Sequence, residues 1–254
     1  MVDREQVLSS LVEMSRRLGS PEMDAAILGE GNTSARIGDD RFLVKASGTQ
    51  LPTISAAEFC EVRMAPVLAL LEAGDLTDDE IKDALQAACA DPGGLRPSIE
   101  TVLHALLLSL EGVCYIGHTH PTAVNAILCS KGAETIATRR LFPDEIVVCG
   151  PASVYVPYTD PGPPLARQVR DRALEYIEEW GAAPKVILMQ NHGLIALGAK
   201  ARDVENITAM AIKAARTLLG TYALGGPSFL TPENLARIYT RPDEAYRQAL
   251  LSRA

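Results

Sequence analysis

At the start of the chain, apolar positions recur with mostly helical spacing, at Val7, Leu8, Leu11, Val12, Met14 and Leu18, and the run stops at Gly19. This predicts a helix over residues 4–18. Two short β-type segments follow at residues 33–37 and 42–46, joined by Gly38-Asp39-Asp40, a turn suited to a hairpin, and closed by a second turn at Ser47-Gly48-Thr49. A helical stretch over residues 78–90 ends in Asp91-Pro92-Gly93-Gly94. The next helix is expected to open at Pro97-Ser98, with Ser98 as its N-cap, and to run to about residue 110. Residues 113–119 read as a strand, a short helix starts at Pro121, and β segments are expected at 146–149 and 153–156. A helix over residues 164–180 leads into the apolar strand 186–189, and residues 194–197 continue as β. Asp203 is placed to cap a long helix reaching about Tyr222, and a pair of short helices follows the Gly225-Gly226-Pro227 break.

Helices that alternate with short strands, at least one pair of them a hairpin, predict a three-layer α/β/α domain around a mixed or antiparallel sheet. No repeat interrupts the pattern. The expected organisation is one domain over residues 1–225 and a C-terminal helical tail over 226–254.

The composition narrows the function classes. With 254 residues, 47% of them hydrophobic and 22% charged, the chain can bury a core without disulfides. A net charge of −8, with no basic run longer than the pairs Arg16-Arg17 and Arg139-Arg140, argues against a nucleic-acid surface. The five cysteines form no C-x-x-C pair and read as buried thiols of a reducing cytoplasm. The first residues carry charges of both signs, and the longest apolar stretch, around residues 106–108, is far too short to span a bilayer. The expectation is a cytoplasmic protein without membrane or nucleic-acid partners.

Three of the four histidines lie where a metal fits better than a core. In Gly117-His118-Thr119-His120-Pro121 the two imidazoles are two residues apart at the end of an apolar strand, so they project from one face and can share an ion. His192, in Gln190-Asn191-His192-Gly193, follows another buried-looking strand. Taken singly, each histidine reads more readily as a structural residue; the set of three shifts the reading to a metal. Three neutral imidazoles leave coordination positions open, as catalysis requires, and favour zinc without excluding manganese or cobalt. Glu100 falls where the helix after Pro97 begins, and there a carboxylate also serves simply to complement exposed backbone N–H groups. His104 lies one turn later, within reach of Glu100, with apolar flanks that suit a structural role.

Gly31-Asn32-Thr33-Ser34, Ser47-Gly48, Pro97-Ser98-Ile99-Glu100, Gly117-His118-Thr119-His120-Pro121 and Asn191-His192-Gly193 resemble, in order and approximate spacing, the motifs of the class II aldolase and adducin family. That family includes the fuculose-phosphate and rhamnulose-phosphate aldolases and ribulose-phosphate 4-epimerase, and the resemblance covers roughly residues 5–222. It implies His118, His120 and His192 as zinc ligands, and Glu100 as a carboxylate that ligates the resting metal and acts as acid/base. It also implies a substrate-phosphate pocket lined by Gly31, Asn32, Ser47, Gly48 and Ser98, and a homotetramer.

Two departures from the family pattern stand out. Ile99 occupies a position where many relatives have a second serine, removing a hydroxyl from the anion pocket, and Lys45 on the neighbouring strand can offset that loss. No tyrosine lies between His120 and Pro151, where the sugar-phosphate aldolases present a tyrosine acid, so the proton donor is sought elsewhere, at Tyr222. The implied activity is retro-aldol cleavage of a keto sugar, in phosphorylated form, with the metal stabilising an enediolate. Epimerisation, β-keto-acid decarboxylation and dehydration are alternatives on the same metal, and a non-enzymatic adducin-like interaction domain is the alternative of another class.

Overall fold

The computed structural model describes residues 3–243. Seven strands, β1 (Asn32–Arg36), β2 (Arg41–Lys45), β3 (Phe59–Arg63), β4 (Tyr115–Thr119), β5 (Val154–Val156), β6 (Val186–Met189) and β7 (Gly193–Gly198), form one sheet in the order β3-β2-β1-β4-β7-β6-β5. Every neighbouring pair is antiparallel except β5–β6, so the sheet is mixed. The helices are α1 (Arg4–Leu18), α2 (Met64–Glu72), α3 (Asp78–Ala88), α4 (Thr101–Leu108), α5 (Thr122–Leu128), α6 (Ala133–Ala137), α7 (Pro143–Cys149), α8 (Pro163–Trp180), α9 (Ala201–Thr221) and α10 (Pro232–Tyr239).

Alternation along the strands divides the core in two. Phe42, Val44, Ile116, Ile187 and Ile195 pack with α2, α3, α4 and α8, whereas Ala35, Leu43, Val186, Leu194 and Ala196 pack with α1, α5 and α9. These are the three layers that the alternation of elements predicts. Gly117 in the central strand β4 has a packing reason: a Cβ there would come within 2.7 Å of both Leu18 and Val204, so its absence lets α1 and α9 lie close on the sheet. The same alternation turns Ile116 and His118 toward α4. Asn32, paired with His118 in the sheet register, lies on that face too.

Several expectations are corrected. Residues 146–149 belong to helix α7, not to a strand. Pro143 opens that helix, Asp144 and Glu145 occupy its first turn, and Gly150 at φ +84° ends it, and these terminal signals override the β preference of Ile146, Val147 and Val148. Ser98 does not cap α4; that helix starts three residues later, with Glu100 at the cap position, and Ser98 instead offers its carbonyl to the Thr101 N–H. Lys200 precedes α9 as its cap residue, and the Asp203 carboxylate accepts from the Lys200 N–H. Cys60, Cys89 and Cys149 are buried, but Cys129 is exposed.

Strand β3 and helices α2 and α6 are additional to the predicted elements. Of the two short helices expected after Pro227, α10 is present and the second lies outside the described residues. Among the described residues, no helix is long and apolar enough to cross a membrane.

Candidate metal centre

His118 is the last residue but one of β4, His120 follows the strand, and His192 sits in the tight connection between β6 and β7, the two strands beside β4 on one flank. That connection is short because Asn191 takes a left-handed conformation at φ +53° and Gly193 starts the next strand. A Cβ on Gly193 would stand 2.6 Å from both the Thr119 carbonyl and His120 Cδ2, and 3.2 Å from His118 Cε1. Gly193→Ala is therefore expected to cost about 1–3 kcal/mol through overpacking and to displace the histidine rings. Thermal unfolding together with zinc titration checks this, and a variant as stable and as zinc-avid as wild type would show that the rings have room to move.

The three rings pack edge to face, with centroids 4.8–5.3 Å apart. One ligand nitrogen from each lies within 4.8 Å of the others. His118 Nδ1 donates to the Leu194 carbonyl at 3.0 Å, and His120 Nδ1 donates to Glu30 Oε2 at 3.0 Å. In their neutral forms both rings thereby leave bare Nε2 atoms facing each other, 3.1 Å apart. Two bare acceptors at that distance repel unless a cation lies between them. Nitrogens roughly 2.0–2.1 Å from a tetrahedral ion stand about 3.3 Å apart, so the donor set fits a divalent metal.

Glu100 completes the group. Its Oε1 lies 3.1 Å from His192 Nε2 and 3.5 Å from His118 Nε2. The helix-cap role open to it in the sequence is not the one it takes, since its side chain makes no capping hydrogen bond. Burial works against its anion, yet His118 and His192, where their Nε2 atoms carry protons, hold the carboxyl well below its usual range. A dication on the same rings acts in the same direction. Burial, assisted by His118, pushes the neighbouring His120 down to about 4, so its ring stays neutral as a metal ligand must.

Behind Glu100, one hydrogen-bond chain settles the roles of three more side chains. Asn32 Nδ2 donates to Glu100 Oε2 at 2.5 Å, because an ionised carboxylate only accepts. Asn32 Oδ1 is then left facing His104 Nε2, which must carry the proton, and His104 Nδ1 accepts from the Ser34 hydroxyl at 2.6 Å. Burial, with a contribution from His118, pushes His104 down to about 3, consistent with this neutral ring. Thus His104 and Glu100 do not meet directly; Asn32 bridges them.

The remaining expected residues divide into those at the site and those apart from it. Gly31, at φ +72°, brings the start of β1 against the His118 carbonyl, where a Cβ would lie 2.8 Å away. Lys45 is 3% exposed, donates to the Gly29 carbonyl at 3.3 Å and interacts with the Glu100 charge. Burial lowers its pKa. The Ser98 hydroxyl is buried without a partner, and Ala46 bridges to Pro97, which brings the exposed Ser47-Gly48 turn beside Ser98. Ile99 packs against Gly162 at the start of α8. Tyr222 is 55% exposed just past α9 and shares no hydrogen bond or ring contact with the histidines.

The sequence reading does not find Glu30; the available signal is a carboxylate flanked by Gly29 and Gly31, immediately before Asn32. The Leu194 carbonyl that orients His118 carries no side-chain signal.

Fold and site together define an α/β protein with a three-histidine, one-carboxylate centre at the end of a mixed sheet. Residues 9–219 match the family described as "Class II Aldolase and Adducin N-terminal domain", and the chain belongs to that family. Similar curated proteins include the "Uncharacterized oxidoreductase YuxG" of Bacillus subtilis, 29% identical over 199 residues that make up 75% of this chain and 26% of that protein. The "3-oxo-tetronate 4-phosphate decarboxylase" of Haemophilus influenzae is 27% identical over 183 residues, 71% of this chain and 72% of that protein. The chain thus spans about a quarter of the Bacillus relative. Among solved structures, the N-terminal class II aldolase domain of a conserved protein from Thermoplasma acidophilum superposes with a TM-score of 0.66 at 25% identity, over 86% of this chain and 96% of that one. The family includes enzymes, aldolases and decarboxylases among them.

Proposed function

We propose that the protein is a metal-dependent lyase that cleaves the bond between the carbons α and β to the carbonyl of a keto sugar, with a phosphorylated sugar as substrate. The observation that carries this reading is the convergence of the His118, His120 and His192 ligand nitrogens with the Glu100 carboxylate at their edge. When bound there, a divalent ion, zinc by the chemistry of three imidazoles, supplies Lewis-acid polarisation of the carbonyl and adjacent hydroxyl.

The protein's own residues do the rest. Glu100, held at Oε2 by Asn32, presents Oε1 to the reacting centre. It takes the proton of the β-hydroxyl as the bond between the α and β carbons breaks and the aldehyde forms, and returns it to the carbon next to the carbonyl. His104 and Ser34 keep the Asn32 amide from turning over, so the carboxylate faces a donor. Lys45, the unpartnered Ser98 hydroxyl and the backbone at Gly31 and Gly48 offer cation and donors to the phosphate end.

A second reading has one specific observation in its favour, the Haemophilus relative named as a decarboxylase. A β-keto acid places its carboxylate on the carbon that a retro-aldol substrate would split, so the same centre would release CO2 in place of an aldehyde. The deciding experiment incubates the zinc-loaded protein with phosphorylated and unphosphorylated keto sugars and β-keto acids and reads product mass. Two carbonyl fragments support the aldol reading, loss of CO2 supports the second, and no product with any of them contradicts both.

Lys45→Met separates the anion role from a structural one. A charge-assisted hydrogen bond to phosphate contributes about 1.5–3 kcal/mol, so KM for the phosphorylated substrate is expected to rise about 10- to 150-fold. The unphosphorylated analogue should change far less. Equal effects on both would assign Lys45 to packing alone.

A further inference from the structure

We infer that Glu30 is a positioning residue of the metal centre, whose carboxylate sets the ligand tautomer of His120 and raises the affinity of the three histidines for a divalent ion. The inference rests on the metal-centre reading above and adds a residue that the histidine and glutamate motifs do not contain.

The geometry commits both oxygens of Glu30. Oε2 accepts from His120 Nδ1 at 3.0 Å, and Oε1 accepts from the Ile27 backbone N–H at 2.7 Å. The Glu30 N–H in turn donates to the Ile27 carbonyl, which closes a tight turn. This turn is tied to the site from two sides. The His120 N–H donates to the Ala25 carbonyl at 2.8 Å, and Lys45 Nζ donates to the Gly29 carbonyl at 3.3 Å. Gly31, which no residue with a Cβ could replace against the His118 carbonyl without a shift, fixes the other end. The carboxylate is therefore a rigid acceptor aimed at one ring nitrogen.

Two consequences follow for an ion at the centre. The hydrogen bond to Nδ1 keeps the proton there and leaves Nε2 as the free lone pair, so no tautomer change has to accompany metal uptake. A carboxylate also draws the Nδ1 proton more strongly than a carbonyl does, which makes His120 a stronger donor than His118, whose Nδ1 faces the neutral Leu194 carbonyl. Charge acts in the same sense. Three neutral imidazoles carry no charge, and Glu100 and Glu30 together offset both charges of a dication. Glu30 does so from outside the ligand ring, and its side chain is about a third exposed, leaving the open positions to substrate.

The experiment compares wild type, Glu30→Gln and Glu30→Ala as full chains, with zinc and cobalt affinities measured by competition against a chromogenic chelator. The visible absorption of the cobalt-loaded forms is recorded alongside, and thermal unfolding of the metal-free forms checks the fold. Glu30→Ala is expected to bind zinc about 10- to 100-fold more weakly with an altered cobalt spectrum. Glu30→Gln keeps the side-chain volume and one acceptor, enough for Nδ1–H or for the Ile27 N–H but not for both, and loses the charge, so it should fall between the two and stands in if the alanine variant does not fold. Both variants binding zinc within about threefold of wild type, with unchanged cobalt spectra, would overturn the role of Glu30 and leave the metal centre standing. A folded wild type that takes up neither ion would overturn both.

Discussion

Glu100→Gln is expected to lower turnover by about 100-fold or more while the protein stays folded and retains much of its metal. The amide keeps the size of the carboxylate and can still turn its oxygen toward the Asn32 donor, now 2.5 Å from Oε2, so packing around α4 should not change. What it lacks is the capacity to take up and return a proton. It also lacks the negative charge that His118 and His192 stabilise in the wild type. Steady-state kinetics on the productive substrate, with metal content measured on the same sample, checks this. Near-normal turnover would reduce Glu100 to an orienting group at the start of α4.

His118→Ala should go further and abolish both metal uptake and turnover. His118 is fully buried, and its ring touches every other member of the centre: it faces His120 at 3.1 Å, packs edge to face on His192 and lies 3.5 Å from Glu100. Removing it leaves two imidazoles on separate segments and a Leu194 carbonyl without its donor. The Lewis-acid contribution of a metal amounts to several kcal/mol, so turnover should drop by about 1,000-fold or more. Chelator competition and kinetics read the two effects separately. A variant that still binds zinc as wild type does would mean that the ion, if any, sits elsewhere.

The sequence makes much of this arrangement legible, and the limits have physical causes. The His-x-His pair can be read because strand alternation places residues two apart on one face, and β4 has that period. The layers can be read because long helices such as α1, α8 and α9 carry regular apolar stripes. Helix α7 is misread because three consecutive residues with β preference, Ile146 to Val148, are overruled by a proline, an acidic first turn and a terminal glycine. Strand β3 buries only Cys60 and Val62 fully, and on its other face a partly buried Phe59 is followed by Glu61, paired to Arg4 and Arg41.

At the site, the pairing of Asn32 with Glu100 and His104 spans about seventy residues of chain and depends on the β1–β4 register, which no local pattern encodes. Glu30 is invisible for the same reason, since its partner lies ninety residues away.

The central claim is that this fold gathers three histidines and a glutamate to hold a catalytic divalent ion. Elemental analysis of the purified protein after reconstitution tests it most directly. The account predicts about one divalent ion per chain, removed by chelation together with activity and restored with it. A correctly folded protein that takes up no divalent ion, and shows the same behaviour with and without chelator, would contradict it.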